Sequence, residues 1–221
     1  MLYLANASDL TSIADAIREK GGTSEALEFP DGFVDAIEDI PTGGGSSEDI
    51  NGLIDRTISG TYRNSTVTSV GNYAFKDCTA LQEVDFPACT TIEDHAFYNC
   101  TALQEVDFPA CTTIGDYAFN NCTALKNCDI SNVTTINQYT FQDCTNLSNL
   151  STGTLTTLGT NAFRNCISLS NVDLSSVTNI GNSAFENTSV GKIEAPNATT
   201  VGTYTGKGGR TSTIDLTKLT S

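Results

Sequence analysis

Residues Thr79–Ile92 read Thr-Ala-Leu-Gln-Glu-Val-Asp-Phe-Pro-Ala-Cys-Thr-Thr-Ile, and residues Thr101–Ile114 repeat these letters without a change, 22 residues further on. The same step separates a series of phenylalanines and a series of cysteines: Phe75, Phe97, Phe119, Phe141, Phe163 and Phe185, and Cys78, Cys100, Cys122, Cys144 and Cys166. A short repeated unit cannot bury its apolar side chains alone, so successive copies stack and share one core. The sequence therefore predicts a solenoid.

Each repeat contains a segment in which apolar and polar residues alternate. In the first copy Val84 and Phe86 alternate with Glu83 and Asp85, which is the period-two pattern of a strand with one buried face. Three further apolar columns run through the copies: Leu81, Leu103, Leu125, Leu147 and Leu169; Val84, Val106, Cys128, Leu150 and Val172; and Val70, Ile92, Ile114, Ile136, Leu158 and Ile180. We expect these columns to form one continuous core.

The eight cysteines and the corner residues also follow the repeat. Seven cysteines occupy repeat positions, which favours small buried side chains over a disulfide framework, and a single histidine without any Cys-x-x-Cys pair argues against zinc. An Asn or Asp precedes each cysteine position: Asp77, Asn99, Asn121, Asp143, Asn165 and Asn187. Such side chains bond backbone groups in turns, so we interpret this column as a turn ladder and expect the repeated Thr-Thr pairs to act similarly.

The two ends of the chain depart from the pattern. Residues 1–41 predict a leader of two short helices, and 42–47 a Gly/Ser linker. We interpret residues 48–69 as a degenerate capping repeat, 70–205 as the regular repeats and 206–221 as a carboxy-terminal cap.

The pattern Ala-Phe-x-x-Cys-x-x-Leu-x-x-Val-x-Phe-Pro-x-x-x-x-Ile, seen from Ala96 to Ile114, resembles the BspA-like leucine-rich repeats. That resemblance implies a leucine-rich-repeat solenoid with a parallel sheet on its concave face and loops on its convex side, and its best-described members are surface adhesins. The leader, with Leu10–Arg18 and Phe29–Phe33, is similar to segments that precede such repeats in proteins of gut Firmicutes and their prophages, often beside tail components. This likeness implies an attachment module.

The composition of the chain bears on whether it binds nucleic acid or spans a membrane. A net charge of −15 and a pI near 4.1 exclude a nucleic-acid partner, because a phosphate backbone is met by Lys and Arg. No apolar run reaches the roughly 20 residues of a membrane-spanning helix. We expect no signal peptide, and we expect display on a cell surface or on a phage tail.

The outward side chains of the strands provide the candidate binding site. Two neighbouring columns on this face are rich in carboxylates: Glu83, Asp85, Glu105, Asp107, Asp129, Asp173, Glu194 and Asp215. Arg63 precedes Asp85 in its column and is expected to pair with it. Three interpretations stay open: a solvated polar face, a surface for a basic partner, and a weak calcium site.

An enzyme is not expected, and neither is a cofactor apart from the weakly bound calcium of the third interpretation. A flat row of carboxylates offers no apolar pocket that would separate two pKa values for acid–base catalysis. The sole histidine, His95, stands where Tyr117 and Tyr139 stand in later copies, which favours a corner residue over a catalytic base. We therefore predict a recognition or adhesion module that binds a protein or cell-surface ligand. The alternative is a virion structural protein that oligomerises through its leader and uses the repeats as a spacer.

Overall fold

The computed structural model describes residues 58–203, 205, 206 and 208, and the backbone of residues 213–215. Here the chain winds into a solenoid whose longer strands lie in register on one side. Five of them form a parallel sheet: β1 (Gly60–Arg63), β3 (Leu81–Asp85), β5 (Glu105–Asp107), β7 (Asn127–Ile130) and β9 (Asn149–Thr152). Further along, β12 (Lys192–Glu194) pairs in parallel with β14 (Thr213–Asp215).

A second sheet runs along the side that the sequence predicts to be loops. It has seven parallel strands of two residues each: β2 (Ser69–Val70), β4 (Thr91–Ile92), β6 (Thr113–Ile114), β8 (Thr135–Ile136), β10 (Thr157–Leu158), β11 (Asn179–Ile180) and β13 (Thr200–Val201). The predicted Thr ladder supports it, since the Thr90 hydroxyl donates to the Thr68 carbonyl at 3.2 Å and the Thr112 hydroxyl to the Thr90 carbonyl at 3.3 Å. Two-residue strands are too short for a period-two signal, which is why the pattern missed them.

The predicted columns form the core. The six phenylalanines stack ring on ring with centroids 5.0 to 5.6 Å apart, and the leucine column is fully buried. In the column that begins at Val84, two residues are only partly buried, Leu150 and Val172. A buried side chain of this size stabilises the fold by about 1.5–3 kcal/mol, so each added coil extends the same core.

All eight cysteines are buried and remain thiols. In the main column the Sγ atom of Cys100 donates to the Phe75 carbonyl at 2.9 Å, and Cys122 and Cys144 bond the next phenylalanine carbonyls in the same way. Burial raises the pKa of Cys122 and Cys144 well above the usual value. The prediction of stacked buried cysteines is confirmed.

The predicted Asn/Asp ladder is also present. Every member has a positive φ, between 57° and 63°, a conformation that Asn and Asp tolerate better than other residues with a Cβ. The side chains also bond along the solenoid: the Asn99 amide donates to Asp77 at 2.8 Å, and the Asn121 amide to Asn99 at 2.7 Å. This column therefore joins consecutive coils at one corner.

One predicted strand is missing. Residues 171–173 form no strand, so the sheet stops at β9. After β1 and β3 the backbone amide that follows the strand donates to the backbone carbonyl of the acidic residue one coil on, from Asn64 to Asp85 and from Phe86 to Asp107, both at 3.0 Å. Thr152 instead donates its hydroxyl to the Asp173 carbonyl at 3.1 Å. The side chain competes with the ladder bond here, and the prediction of a strand in every repeat is wrong at this coil.

The leader (1–41), the linker (42–47) and residues 48–57 of the capping repeat (48–69) lie outside the described residues, as does most of the 206–221 cap. Where the repeat 48–69 is described, it follows the predicted columns, because Tyr62 pairs in register with Val84. In the described part of the chain, no helix has the length and apolar character needed to cross a membrane.

Candidate functional site

The outward side chains of β1, β3, β5, β7 and β9, which we call the strand face, line a shallow groove of about 490 Å³. Parallel pairing places Glu83 beside Glu105 and Asp85 beside Asp107. Adjacent strands lie about 4.8 Å apart, so like charges stand next to each other. The groove continues over Asn127 and onto β9.

The first carboxylate pair, Glu83 and Asp85, has an internal partner. Arg63 lies in register with Asp85 and bridges both acids, with Nη2 3.3 Å from Glu83 Oε1 and Nε 3.6 Å from Asp85 Oδ2. The Thr61 hydroxyl donates to Glu83 at 2.6 Å. That hydrogen bond is the main cause that lowers the pKa of Glu83, and Arg63 adds to it. The predicted Arg63–Asp85 contact is present, and it extends to Glu83.

The second carboxylate pair, Glu105 and Asp107, has no such partner. Both residues are exposed, whereas the side chains of Glu83 and Asp85 are 33% and 34% exposed. Within the described residues neither side-chain carboxylate of the second pair makes a hydrogen bond or an ion pair. Two carboxylates with the same sequence and register as the first pair therefore point into the groove unneutralised.

The other predicted site residues have local roles. Asp129 lies on the strand face but accepts a hydrogen bond from the Ser131 amide at 2.9 Å. Asp173 lies where the strand is missing and accepts from the Ser175 amide at 2.9 Å, which lowers its pKa. The strand that the sequence predicts at Asp173 is therefore absent, and Asp173 does not share the sheet that carries Asp85, Asp107 and Asp129.

Beyond the break, the acidic residues belong to the two-stranded sheet. Glu194 binds the Lys192 ammonium at 2.5 Å. The backbone of Asp215 pairs in register with that of Glu194. The continuous part of the face thus holds Glu83, Asp85, Glu105, Asp107 and Asp129.

The geometry gives no support to the calcium interpretation. In the part of the chain that the structure describes, no group of three or more His, Cys, Asp or Glu side chains is arranged to hold a metal ion. Calcium requires six to eight oxygen ligands at 2.3–2.6 Å, and the paired strands hold their carboxylates in an open row.

An aromatic ladder occupies a corner of the solenoid, and the sequence argument missed it. Tyr73, His95, Tyr117 and Tyr139 stack with ring centroids 4.5 to 4.7 Å apart. All four have φ between 56° and 61°, a conformation that costs about 1–2 kcal/mol for such residues. Each stacked pair of rings stabilises the fold by about 0.5–1.5 kcal/mol, which offsets this cost. The signal was available, since the four residues follow the 22-residue step.

Comparison with known proteins agrees with this architecture. The model of the BspA type leucine-rich repeat region matches residues 57–166 and 90–208 in six copies. Among curated proteins, none matches.

A solved structure shares the fold. A leucine-rich repeat protein from Eubacterium ventriosum superposes with a TM-score of 0.66 at 27% identity, over 75% of this chain and 47% of that one. A leucine-rich repeat protein from Bacteroides ovatus gives a TM-score of 0.49 at 19% identity, over 73% of this chain and 61% of that one. The chain thus spans about half the length of the Eubacterium protein. Because the family model covers well over half of the sequence, the chain belongs to the BspA type leucine-rich repeat family.

Proposed function

We propose that the protein is a non-enzymatic recognition module whose strand face binds an arginine-bearing segment of a partner protein. A leucine-rich repeat solenoid is a typical scaffold for protein–protein interaction. The observation that carries the proposal is the unneutralised second pair, Glu105 and Asp107, inside the groove of the strand face.

Arg63 provides an internal example of the ligand. Its guanidinium reaches both acids of the first pair from the neighbouring strand. The second pair repeats the same residues in the same register one coil on, but the position equivalent to Arg63 is Asp85. A partner's guanidinium placed over Glu105 and Asp107 would make the contacts that Arg63 makes over Glu83 and Asp85.

The strand face also suggests why arginine is preferred to lysine. The Arg63 guanidinium spans two carboxylates on one strand. A guanidinium presents several donors in a planar fork, while an ammonium acts as a compact point charge. Glu105 and Asp107 lie side by side on one strand as Glu83 and Asp85 do, so one guanidinium can contact both carboxylates.

A single ion pair contributes too little free energy for measurable binding, so the bound segment must make more than one contact. An exposed ion pair contributes about 0.2–1 kcal/mol, which alone gives very weak binding. We therefore propose that the bound segment runs along the groove and adds hydrogen bonds to the exposed amides of Asn127 and Asn149. Those two amides already bond each other at 2.8 Å, and each keeps further donor or acceptor capacity.

We also propose that the module is displayed on a cell surface, where it acts in adhesion. In a second version of the proposal it is displayed on a phage tail. The family is the support for surface display. Deleting residues 1–45 separates adhesion from virion assembly: peptide binding is retained if the repeats recognise a partner, whereas particle assembly is lost if the leader mediates oligomerisation.

The binding test uses an oligoarginine peptide and an oligolysine peptide of equal length, measured by calorimetry at several salt concentrations. The proposal predicts tighter binding of oligoarginine and a loss of about tenfold, or 1.4 kcal/mol, in Glu105→Gln/Asp107→Asn. A matched control, Arg63→Gln/Glu83→Gln/Asp85→Asn, removes the whole first cluster and is expected to change affinity less than threefold. Equal losses in the two variants, or equal binding of the two peptides, would contradict the proposal.

A further inference from the structure

The aromatic ladder contains a close contact between two tyrosines. The rings of Tyr117 and Tyr139 lie 4.5 Å apart and are tilted by only 6°. Both side chains are half-buried, so their edges remain accessible to a small oxidant. Burial is the main cause that raises the pKa of Tyr117, and the neighbouring Tyr139 phenol adds to it. The two phenol groups therefore face each other on consecutive coils.

Within residues 58–203, the rings of the other tyrosines contact histidine or phenylalanine rings. His95 lies between Tyr73 and Tyr117, 4.7 Å from each ring. The ring of Tyr98 contacts His95 at 5.6 Å, and that of Tyr62 packs against Phe75 and Phe86. Within residues 58–203, Tyr117 and Tyr139 form the one ring contact between two tyrosines.

We propose that Tyr117 and Tyr139 are an oxidative cross-linking site, joined as dityrosine by a peroxidase that uses hydrogen peroxide. Each phenol loses one electron and one proton, which gives two phenoxyl radicals. The radicals couple through one ring carbon next to each hydroxyl, and the hydrogens on the joined carbons move to the two oxygens. Hydrogen peroxide accepts the two electrons and two protons and becomes two water molecules, so atoms and charges balance.

The competing thiols are protected. The cysteines are buried, and burial raises the pKa of six of their thiols, for Cys111 to about 11, which suppresses the reactive thiolate. The cross-link would close a loop between the coils of β6 and β8. Like a disulfide, such a closure restricts the unfolded chain, so it would reinforce a solenoid whose cysteines form no disulfide.

The test treats the full-length protein with peroxidase and hydrogen peroxide and follows dityrosine fluorescence and peptide mass. Trypsin cuts after Lys126, so Tyr117 and Tyr139 fall on different peptides. The linked peptides should be two hydrogen atoms lighter than their sum, and fragmentation should place the link at these residues within one molecule. Treating the protein in denaturant should remove this product.

Two variants decide the outcome. Tyr139→Phe keeps the ring and loses the hydroxyl, so the link should disappear while the melting temperature stays close to the wild-type value. His95→Tyr extends the ladder to four tyrosines and should add links at position 95. Fluorescence that is unchanged in Tyr139→Phe, or links that are mainly between molecules or at Tyr73 and Tyr98, would overturn the proposal.

Discussion

Two regions of the strand face have the same sequence and different electrostatic surroundings. Residues Thr79–Ile92 and Thr101–Ile114 are identical. Glu83 and Asp85 are bridged by Arg63, whereas Glu105 and Asp107 have no cation beside them in the described part of the chain. The difference comes from the preceding coil, which supplies Arg63 to the first pair and Asp85 to the second. In a stacked repeat, the neighbouring coil thus decides whether the carboxylates of a copy have a cation beside them.

The largest expected effect comes from reversing the second pair. Glu105→Lys/Asp107→Lys replaces two attractive contacts by two repulsive ones, and at about 0.5–1 kcal/mol per contact the loss is about 2–3 kcal/mol, or roughly a hundredfold in affinity for oligoarginine. Calorimetry measures it. Both residues are exposed, so the melting temperature should stay close to wild type. A loss of affinity smaller than threefold would show that the second pair differs from the first in structure but not in binding.

A charge-conserving exchange tests the role of the neighbour. Arg63→Asp/Asp85→Arg moves the arginine one coil along, into register with Asp107, and leaves the net charge of −15 unchanged. We expect the relocated arginine to occupy the second pair and to reduce oligoarginine affinity about tenfold, or 1.4 kcal/mol. Unchanged affinity at equal net charge would show that the overall acidity of the protein, not the pairing, controls binding.

Removing the internal arginine should open the first pair. Arg63→Ala leaves Glu83 and Asp85 unneutralised, so the peptide stoichiometry should rise towards two sites per chain. Because the Arg63 side chain is 64% exposed, the free energy of unfolding should change by at most about 1 kcal/mol. An unchanged stoichiometry in calorimetry would show that the first pair is not equivalent to the second.

The smallest effect concerns another difference between neighbouring coils, His95 in place of Tyr117. His95 is stacked between two tyrosines, and its Nδ1 is buried without a hydrogen-bond partner. Burial is the main cause that lowers its pKa below 6.5, and Lys76 adds to it, while Asp94 and Asp116 act in the opposite direction. The unfolded chain therefore binds the proton more readily, and stability falls as the pH drops through about 6.5.

Thermal melts between pH 8 and pH 5 check this prediction against His95→Tyr. The variant should lose the part of the pH dependence centred near 6.5, while the acid-induced loss at lower pH remains. Identical profiles for the two proteins would show that His95 does not contribute.

The fold was largely predictable because the buried columns recur at a constant step. Phe97, Cys100 and Leu103 each belong to a column that recurs every 22 residues, and all three are buried. The positive φ at Asn99 was foreseeable from residue type, but the same φ at Tyr117 was not, because aromatic side chains rarely adopt it.

The candidate site was predictable only in part. Asp173 keeps its place in the repeat, yet the Thr152 hydroxyl disrupts the ladder beside it, and a column of letters does not show that competition. Likewise, the sequence places Arg63 near Asp85 but does not show that it also reaches Glu83, which leaves Glu105 and Asp107 as the unneutralised acids.

Carbon-13 NMR of the side-chain carboxylates during titration with oligoarginine tests the central claim most directly, because it reports on each acid separately. We predict that the Glu105 and Asp107 signals shift first and saturate together, while those of Glu83 and Asp85 stay in place under their contact with Arg63. Equal shifts of all four signals, or shifts confined to the first pair, would contradict it.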